Sequence, residues 1–229
     1  MKLGIPTFME YNSVEDHLFF CKEKGFDFFE LAFYYPWTQS DTLNLRNLEK
    51  LKDKYQIGFT LHLGDVDPFS FSPEIKKAGY DTVYYMLDVA SASGAKVLNM
   101  HLIPGGYSSI RGTKYYIYEH HKDVYFDNIK RFIETFSPEL EKRGCSFCIE
   151  NTKGYQNFQK EAIQLMLQDK NFGLTFDIGH SYKAGGEDEK FILSHRDAIK
   201  HFHIHDVTQS SNHIALGQGI LDINKYLDL

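Results

Sequence analysis

The sequence predicts an α/β fold of the TIM-barrel type. Three observations carry that expectation. Short β-branched or aromatic runs alternate with longer amphipathic stretches, helix-capping residues mark the boundaries, and metal-competent side chains recur where the short runs end. A length of 229 residues fits, because such barrels occupy about 200–250 residues as a single domain. Residues 1–229 are accordingly read as one domain.

Seven βα units can be traced. The strands are expected at residues 2–6, 27–31, 58–63, 96–101, 146–151, 173–177 and 200–206. Helices are expected at 13–24, 43–55, 73–93, 116–142, 157–168 and 187–197. Ser13 with Asp16 three residues on has the form of a capping box, and Pro73 suits a first helical turn. Gly25, Gly94 and Gly144 stand where helix C-caps belong. Residues 222–229 read as the opening of a seventh helix, and an eighth strand is missing. Seven units leave two strand edges to be dealt with. Either seven strands close the sheet or a partner covers the gap; the expectation here is a homo-oligomer whose second copy covers the open barrel edge.

Composition narrows the function classes. A net charge of −6 and a pI near 6.0 supply no global basic field to attract nucleic acid. No apolar run reaches the roughly 20 residues of a membrane span, and the first residues lack a secretory pattern. No membrane partner and a cytoplasmic location are expected. Cys145 and Cys148 form a C-x-x-C inside an expected strand, where residues three apart face opposite ways. Both are read as small buried hydrophobes.

The chemistry gathers at the C-terminal ends of the strands, which form the active face of a TIM barrel. Glu30, His62, His101, Glu150, Asp177 with His180, and His203 with His205 all fall there. Strand parity puts His201, His203 and His205 on one face and Phe202 and Ile204 on the other. The same parity groups Glu150 with Cys148 and Asp177 with Thr175. A carboxylate at the end of a buried strand is costly unless paired or metal-bound, which singles out Glu150 and Asp177. Taken singly, His62 and His101 read as hydrogen-bonded core residues, while His120, His121 and His195 fall on helical stretches and read as solvated. A mixed imidazole and carboxylate set suits a divalent metal, Zn or Mn, better than Mg or Ca.

Around that face, Trp37 and Tyr35 after the second strand and Phe69 and Phe71 after the third are read as an apolar wall for a substrate ring. Arg111 and Lys153 are candidates to meet a phosphate, with solvated surface charge as the alternative. Asp206 is read as a substrate-binding carboxylate at the mouth, or as one that orients an imidazole.

Six motifs now stand together. They are His62 in Leu-His-Leu-Gly, His101 in Asn-Met-His-Leu-Ile-Pro-Gly-Gly, Glu150 in Cys-Ile-Glu-Asn, Phe-Asp-Ile-Gly-His at 176–180, His-Ile-His-Asp at 203–206, and His213 before Leu-Gly-Gln-Gly. In these the chain resembles the xylose isomerase-like TIM-barrel superfamily, which holds sugar isomerases and epimerases together with endonuclease IV-type repair enzymes. The resemblance runs from the first strand to Leu229.

For the sugar enzymes the resemblance implies a metal on Glu150, Asp177, His203 and an eighth-strand glutamate, the two glutamates also moving the substrate proton. For the endonuclease IV branch it implies His62, His101 and Glu150 on one ion, and Glu150, Asp177, His203 and the eighth-strand glutamate on a second. A third ion would sit on His180, His213 and an aspartate two residues before it. Here that aspartate position is Ser211, Gln218 stands where glutamate is common, and the eighth-strand glutamate is absent.

The resulting expectation is a metal-dependent sugar or sugar-phosphate isomerase or epimerase acting on a small carbohydrate. Glu150 would be the base, and His205 the substitute acid or base. An endonuclease IV-like phosphodiesterase and a non-catalytic barrel are the alternatives.

Overall fold

The computed structural model describes residues 1–64 and 66–227. In chain order the elements are β1 (Gly4–Ile5), α1 (Val14–Lys24), β2 (Phe28–Ala32), α2 (Leu45–Tyr55), β3 (Gly58–His62), α3 (Pro73–Ser93) and β4 (Val97–His101). There follow β5 (Tyr107–Ile110), β6 (Thr113–Tyr116), α4 (Ile117–His120), α5 (Lys122–Arg143), β7 (Ser146–Glu150) and α6 (Asn157–Met166). The last are β8 (Phe172–Asp177), α7 (Ile178–Lys183), α8 (Glu189–Ser194), β9 (Ile199–His203) and α9 (Asn224–Leu227). The main sheet has seven strands in the order β1-β2-β3-β4-β7-β8-β9, so the fold is α/β of the TIM-barrel type with seven strands for eight.

Contacts divide the chain into two compact units, Met1–Met100 with Glu134–Phe147, and His101–Ile133 with Cys148–Leu229. In the first, β1, β2, β3 and β4 pair in parallel, with Ile5 opposite Phe29, Glu30 opposite Thr60, and His62 opposite Asn99. The Phe28 ring fills the space beside Gly4, where a Cβ would lie 2.2 Å from it. The helices start and stop as the capping residues dictate. Ser13 Oγ accepts from the Asp16 N–H, Ser72 caps α3 with Pro73 in its first turn, and Gly25 and Gly94 close α1 and α3 at φ 76° and 73°. The core is Leu18, Phe29, Leu31, Leu61, Met86, Leu87, Phe136 and Leu140, all fully buried.

In the second unit β8 pairs with β9 in parallel, Thr175 opposite His201 and Asp177 opposite His203, after an irregularity at Leu174/Thr175. Ile129, Phe132, Ile149, Phe158, Ile163, Leu174 and Phe176 fill its interior. Cys148 is buried and free, its thiol pushed up to about 12 by desolvation, and Cys145 is likewise buried and free. Neither is poised for redox chemistry.

Two expected helices have a different form. The stretch 116–142 yields its first residue to an antiparallel hairpin, β5–β6, and then breaks into α4 and α5. The turn at Arg111 and Gly112 takes positive φ at both residues, 50° and 84°, the geometry that matches the twist of a two-residue hairpin. The stretch 187–197 forms α8 and then a 3-10 turn at Arg196–Ala198. Of the expected terminal helix, Asn224–Leu227 is helical, while positions 228 and 229 lie outside the described residues.

Candidate metal centre

The centre is built in the second unit, where four strand ends, the first turn of α7 and one loop deliver their side chains. Glu150 is the last residue of β7 and Asp177 the last of β8, and both side chains are 1% exposed. Asn151, the next residue after Glu150, ties the two strand ends together: its amide donates to the Asp177 carbonyl at 2.9 Å, and its Oδ1 accepts from the Asp177 N–H at 2.9 Å. This clamp fixes the spacing of the carboxylates. Asp177 is also the N-cap of α7, its Oδ1 accepting from the His180 N–H at 2.6 Å, so the Asp-x-x-His spacing is that of a capped first turn.

Imidazoles surround the two carboxylates. His203 Nδ1 donates to Glu150 Oε1 at 2.9 Å, and His101 Nε2 lies 3.3 Å from the same oxygen. His180 Nδ1 is 3.6 Å from Glu150 Oε1 and 3.4 Å from Asp177 Oδ2. His205 Nε2 is 3.0 Å from Asp177 Oδ1, at an angle too poor for a directed hydrogen bond. Exposure rises outward, from 1% at the carboxylates to 20% at His203 and 29% at His101. The carboxylates form the floor and the rings the rim.

Within this unit, two sets of donors are close enough to share an ion. Glu150, Asp177 and His203 each offer an atom within 4.8 Å of the others, and so do His180, His205 and His213. Ordinary electrostatics acts on the second set. Burial disfavours the His205 imidazolium, but the Asp177 carboxylate outweighs it and the pKa is raised. His213 is lowered, chiefly by desolvation and then by the two neighbouring imidazoles.

His205 was expected as an acid or base facing substrate. Its ring packs against His213, centroids 4.1 Å apart, and lies so near Gly179 that a Cβ there would sit 2.0 Å from its Cε1. The glycine of Phe-Asp-Ile-Gly-His is therefore the seat of the His205 ring. Asp206, expected at the mouth, anchors the loop beyond β9. It is buried, with Oδ1 accepting from the Val207 and Leu221 N–H groups at 2.9 and 3.0 Å and Oδ2 from Gly217 and Gly219 at 3.0 and 2.8 Å. Those bonds hold its carboxyl below the usual range and organise the loop that carries His213.

His62 ends β3 in the first unit, buried, with Nδ1 2.8 Å from the Leu63 carbonyl oxygen. Trp37, also in the first unit, stacks on Tyr35 with centroids 5.6 Å apart. Arg111 is exposed at the hairpin tip, and Lys153 is exposed on the loop after β7. Asn151 and Gly179 were within quoted motifs but carried no assigned role. The signal for Asn151 was its position one residue past a buried strand-end carboxylate.

The family model for the xylose isomerase-like TIM barrel matches residues 18–229, and the chain belongs to that family. Uncharacterized protein MJ1614 of Methanocaldococcus jannaschii is 27% identical over 188 residues, covering 79% of this chain and 68% of the relative. A D-tagatose 3-epimerase-like protein superposes with a TM-score of 0.76 at 22% identity, covering all of this chain and 85% of that one. The IOLI protein, solved with a binding zinc atom, gives 0.75 at 17% identity, covering all of this chain and 84% of that one. These likenesses establish the fold. Among the described residues no helix is long and apolar enough to cross a membrane.

Proposed function

We propose that this chain is a divalent-metal-dependent isomerase or epimerase of a small carbohydrate. The observation that carries the reading is the pair of strand-end carboxylates, Glu150 and Asp177, each 1% exposed and faced by imidazole nitrogens. Burying two carboxylates side by side is costly, and a divalent cation is the partner that removes the cost while using neutral imidazoles as further ligands. The donors fit such an ion: Glu150, Asp177 and His203 would hold it, leaving a position for substrate. When bound, the ion supplies Lewis acidity at a carbonyl oxygen and the neighbouring hydroxyl.

The chain's own groups do the rest. Glu150 removes the proton from the carbon beside the carbonyl, with the His203 N–H on its Oε1 setting its direction. The deep position of both carboxylates keeps water from competing for the abstracted proton. His101, 29% exposed, stands 3.3 Å from Glu150 Oε1.

The test is solvent deuterium exchange at the carbon next to the carbonyl, followed by NMR over a panel of ketoses, aldoses and their phosphates, with protein loaded with Zn²⁺ or Mn²⁺. Exchange by the wild type and its loss, by a factor of about 10² or more, in Glu150→Gln is the expected result. Exchange that proceeds equally well in Glu150→Gln, or a wild-type protein that holds no metal after loading, overturns the reading.

A further inference from the structure

We infer that His205 is a positioning residue for Asp177: it engages Oδ1 of that carboxylate and leaves Oδ2 as the oxygen that meets the ion. The inference rests on the metal centre proposed above and deepens it by saying how one ligand is aimed.

The two oxygens of Asp177 have different surroundings. Oδ1 is the N-cap acceptor of α7, taking the His180 N–H at 2.6 Å, and His205 Nε2 lies 3.0 Å from the same atom. Oδ2 approaches the other ring nitrogens, 3.4 Å from His180 Nδ1 and 4.0 Å from His203 Nδ1. The backbone beneath the carboxylate is fixed as well, by the paired bonds to the Asn151 amide. Only the side-chain torsion remains to be set, and the contacts at Oδ1 set it.

The proton on His205 follows from its other nitrogen. The His213 N–H, which can only donate, reaches Nδ1 at 3.2 Å, so Nδ1 keeps its lone pair and the ring proton sits on Nε2. The Asp206 carbonyl oxygen is the longer contact at Nδ1, 3.3 Å, and receives no proton from it. Nε2 therefore presents an N–H beside the carboxylate, off the line of a directed hydrogen bond, and acts on Oδ1 as a dipole. Asp177 is 1% exposed and His205 12%, and in such surroundings a polar N–H next to a carboxylate oxygen counts for more than it does in water.

The chain builds a seat for this ring. A Cβ at Gly179 would lie 2.0 Å from Cε1 and 2.6 Å from Nε2, so the glycine leaves the space in which the imidazole lies. His213 packs on the ring, and the next residue, Asp206, is tied down by the four backbone N–H groups of its loop. Outer groups of this kind aim a ligating carboxylate, and their loss typically weakens metal binding by about 10- to 100-fold.

The experiment strips the full-length protein with a chelator and titrates it with Co²⁺ against a colorimetric chelator, reading affinity and the visible spectrum of the bound ion. Circular dichroism checks the fold of each variant. His205→Ala is expected to bind Co²⁺ about 10- to 100-fold more weakly than the wild type, with an altered spectrum. Gly179→Ala keeps the imidazole and favours the helix but fills the seat, and it should show the same weakening. His205→Gln should recover most of the affinity, because its amide N–H can stand in for Nε2–H. Affinity and spectrum unchanged in either alanine variant, with the ion lost in Glu150→Gln, overturn the role of His205 and leave the metal centre standing. A folded His205→Gln as weak as His205→Ala overturns it too, because the loss would then belong to ring packing against His213. A wild-type protein that binds no Co²⁺ overturns the metal centre and this inference with it.

Discussion

Burial favours the neutral form of an imidazole, and His17 is held in that form by its partners. The ring is fully buried, stacked on Phe29 at 4.5 Å, with Nε2 accepting from the Phe8 N–H at 2.9 Å and Nδ1 2.7 Å from the Ser13 carbonyl oxygen. One nitrogen accepts and the other donates, which only the neutral ring can do. Desolvation therefore depresses its pKa below 6.5, with the Phe8 N–H on Nε2 acting in the same sense, although the Ser13 contact and Asp16 push the other way. A depressed folded-state pKa means stability that is present above 6.5 and lost as pH falls toward the folded value. Urea midpoints measured from pH 8 to pH 5 should fall on the acid side for the wild type. In His17→Ala the midpoint should be lower at pH 8, by roughly 2–4 kcal/mol of stability, for the lost ring and the stranded Phe8 N–H. That variant should also lack His17's share of the acid slope; an identical slope in both proteins would mean that His17 does not carry it.

At the scale of elements, the loop from 207 to 221 depends on one side chain rather than on regular structure. Asp206 supplies it with four acceptor bonds, and Gly219 must be glycine because a Cβ would lie 2.2 Å from Asp206 Oδ1. Asp206→Asn replaces one carboxylate oxygen by an amide NH2, which cannot accept from a backbone N–H. Hydrogen exchange should therefore speed up by tenfold or more at one pair, Gly217 with Gly219 or Val207 with Leu221. Unchanged protection at all four amides would show that the carboxylate is not the anchor. Because Asp206 is depressed below 3.8, the same anchoring is present above that pH and lost as pH falls through the folded value.

This loop also marks where reading the sequence stops working. Seven strands and their helix caps were legible because periodicity, Ser13, Pro73 and the capping glycines act locally. The gathering of carboxylates and imidazoles at the strand ends was legible for the same reason, since strand parity fixes direction. The anchoring by Asp206 joins residues 11 to 15 positions apart through backbone N–H groups, which carry no side-chain signal. The hairpin was hidden by its turn: Arg111 takes positive φ, a position where asparagine, aspartate or glycine would have announced it. The seating of His205 on Gly179 required knowing how close two different segments come, which neither segment encodes alone.

For the molecule as a whole, chain order and compactness disagree. The unit formed by the first 100 residues is completed by Glu134–Phe147, which comes 33 residues later. What that segment brings is substantial. Phe136 is fully buried against Tyr80 at 5.1 Å and Tyr84 at 5.0 Å, and Arg143 donates to the Leu87 carbonyl and to Ser91 Oγ on α3. Ser146 N–H reaches the Lys96 carbonyl at 2.9 Å, beginning β7. Folding of the first unit thus waits for a segment that closes a long loop, a cost that grows slowly with length but is met before any contact is gained. Two results follow. Phe136→Ala in the full chain should lose about 3–5 kcal/mol in urea unfolding, the range for deleting a fully buried aromatic ring. A fragment of residues 1–100 should show no cooperative transition by circular dichroism, because Tyr80, Tyr84 and the α3 carbonyls would be left facing water. A cooperative transition in that fragment would mean that the βα units of the first 100 residues carry a sufficient core by themselves, and that the later segment only covers it.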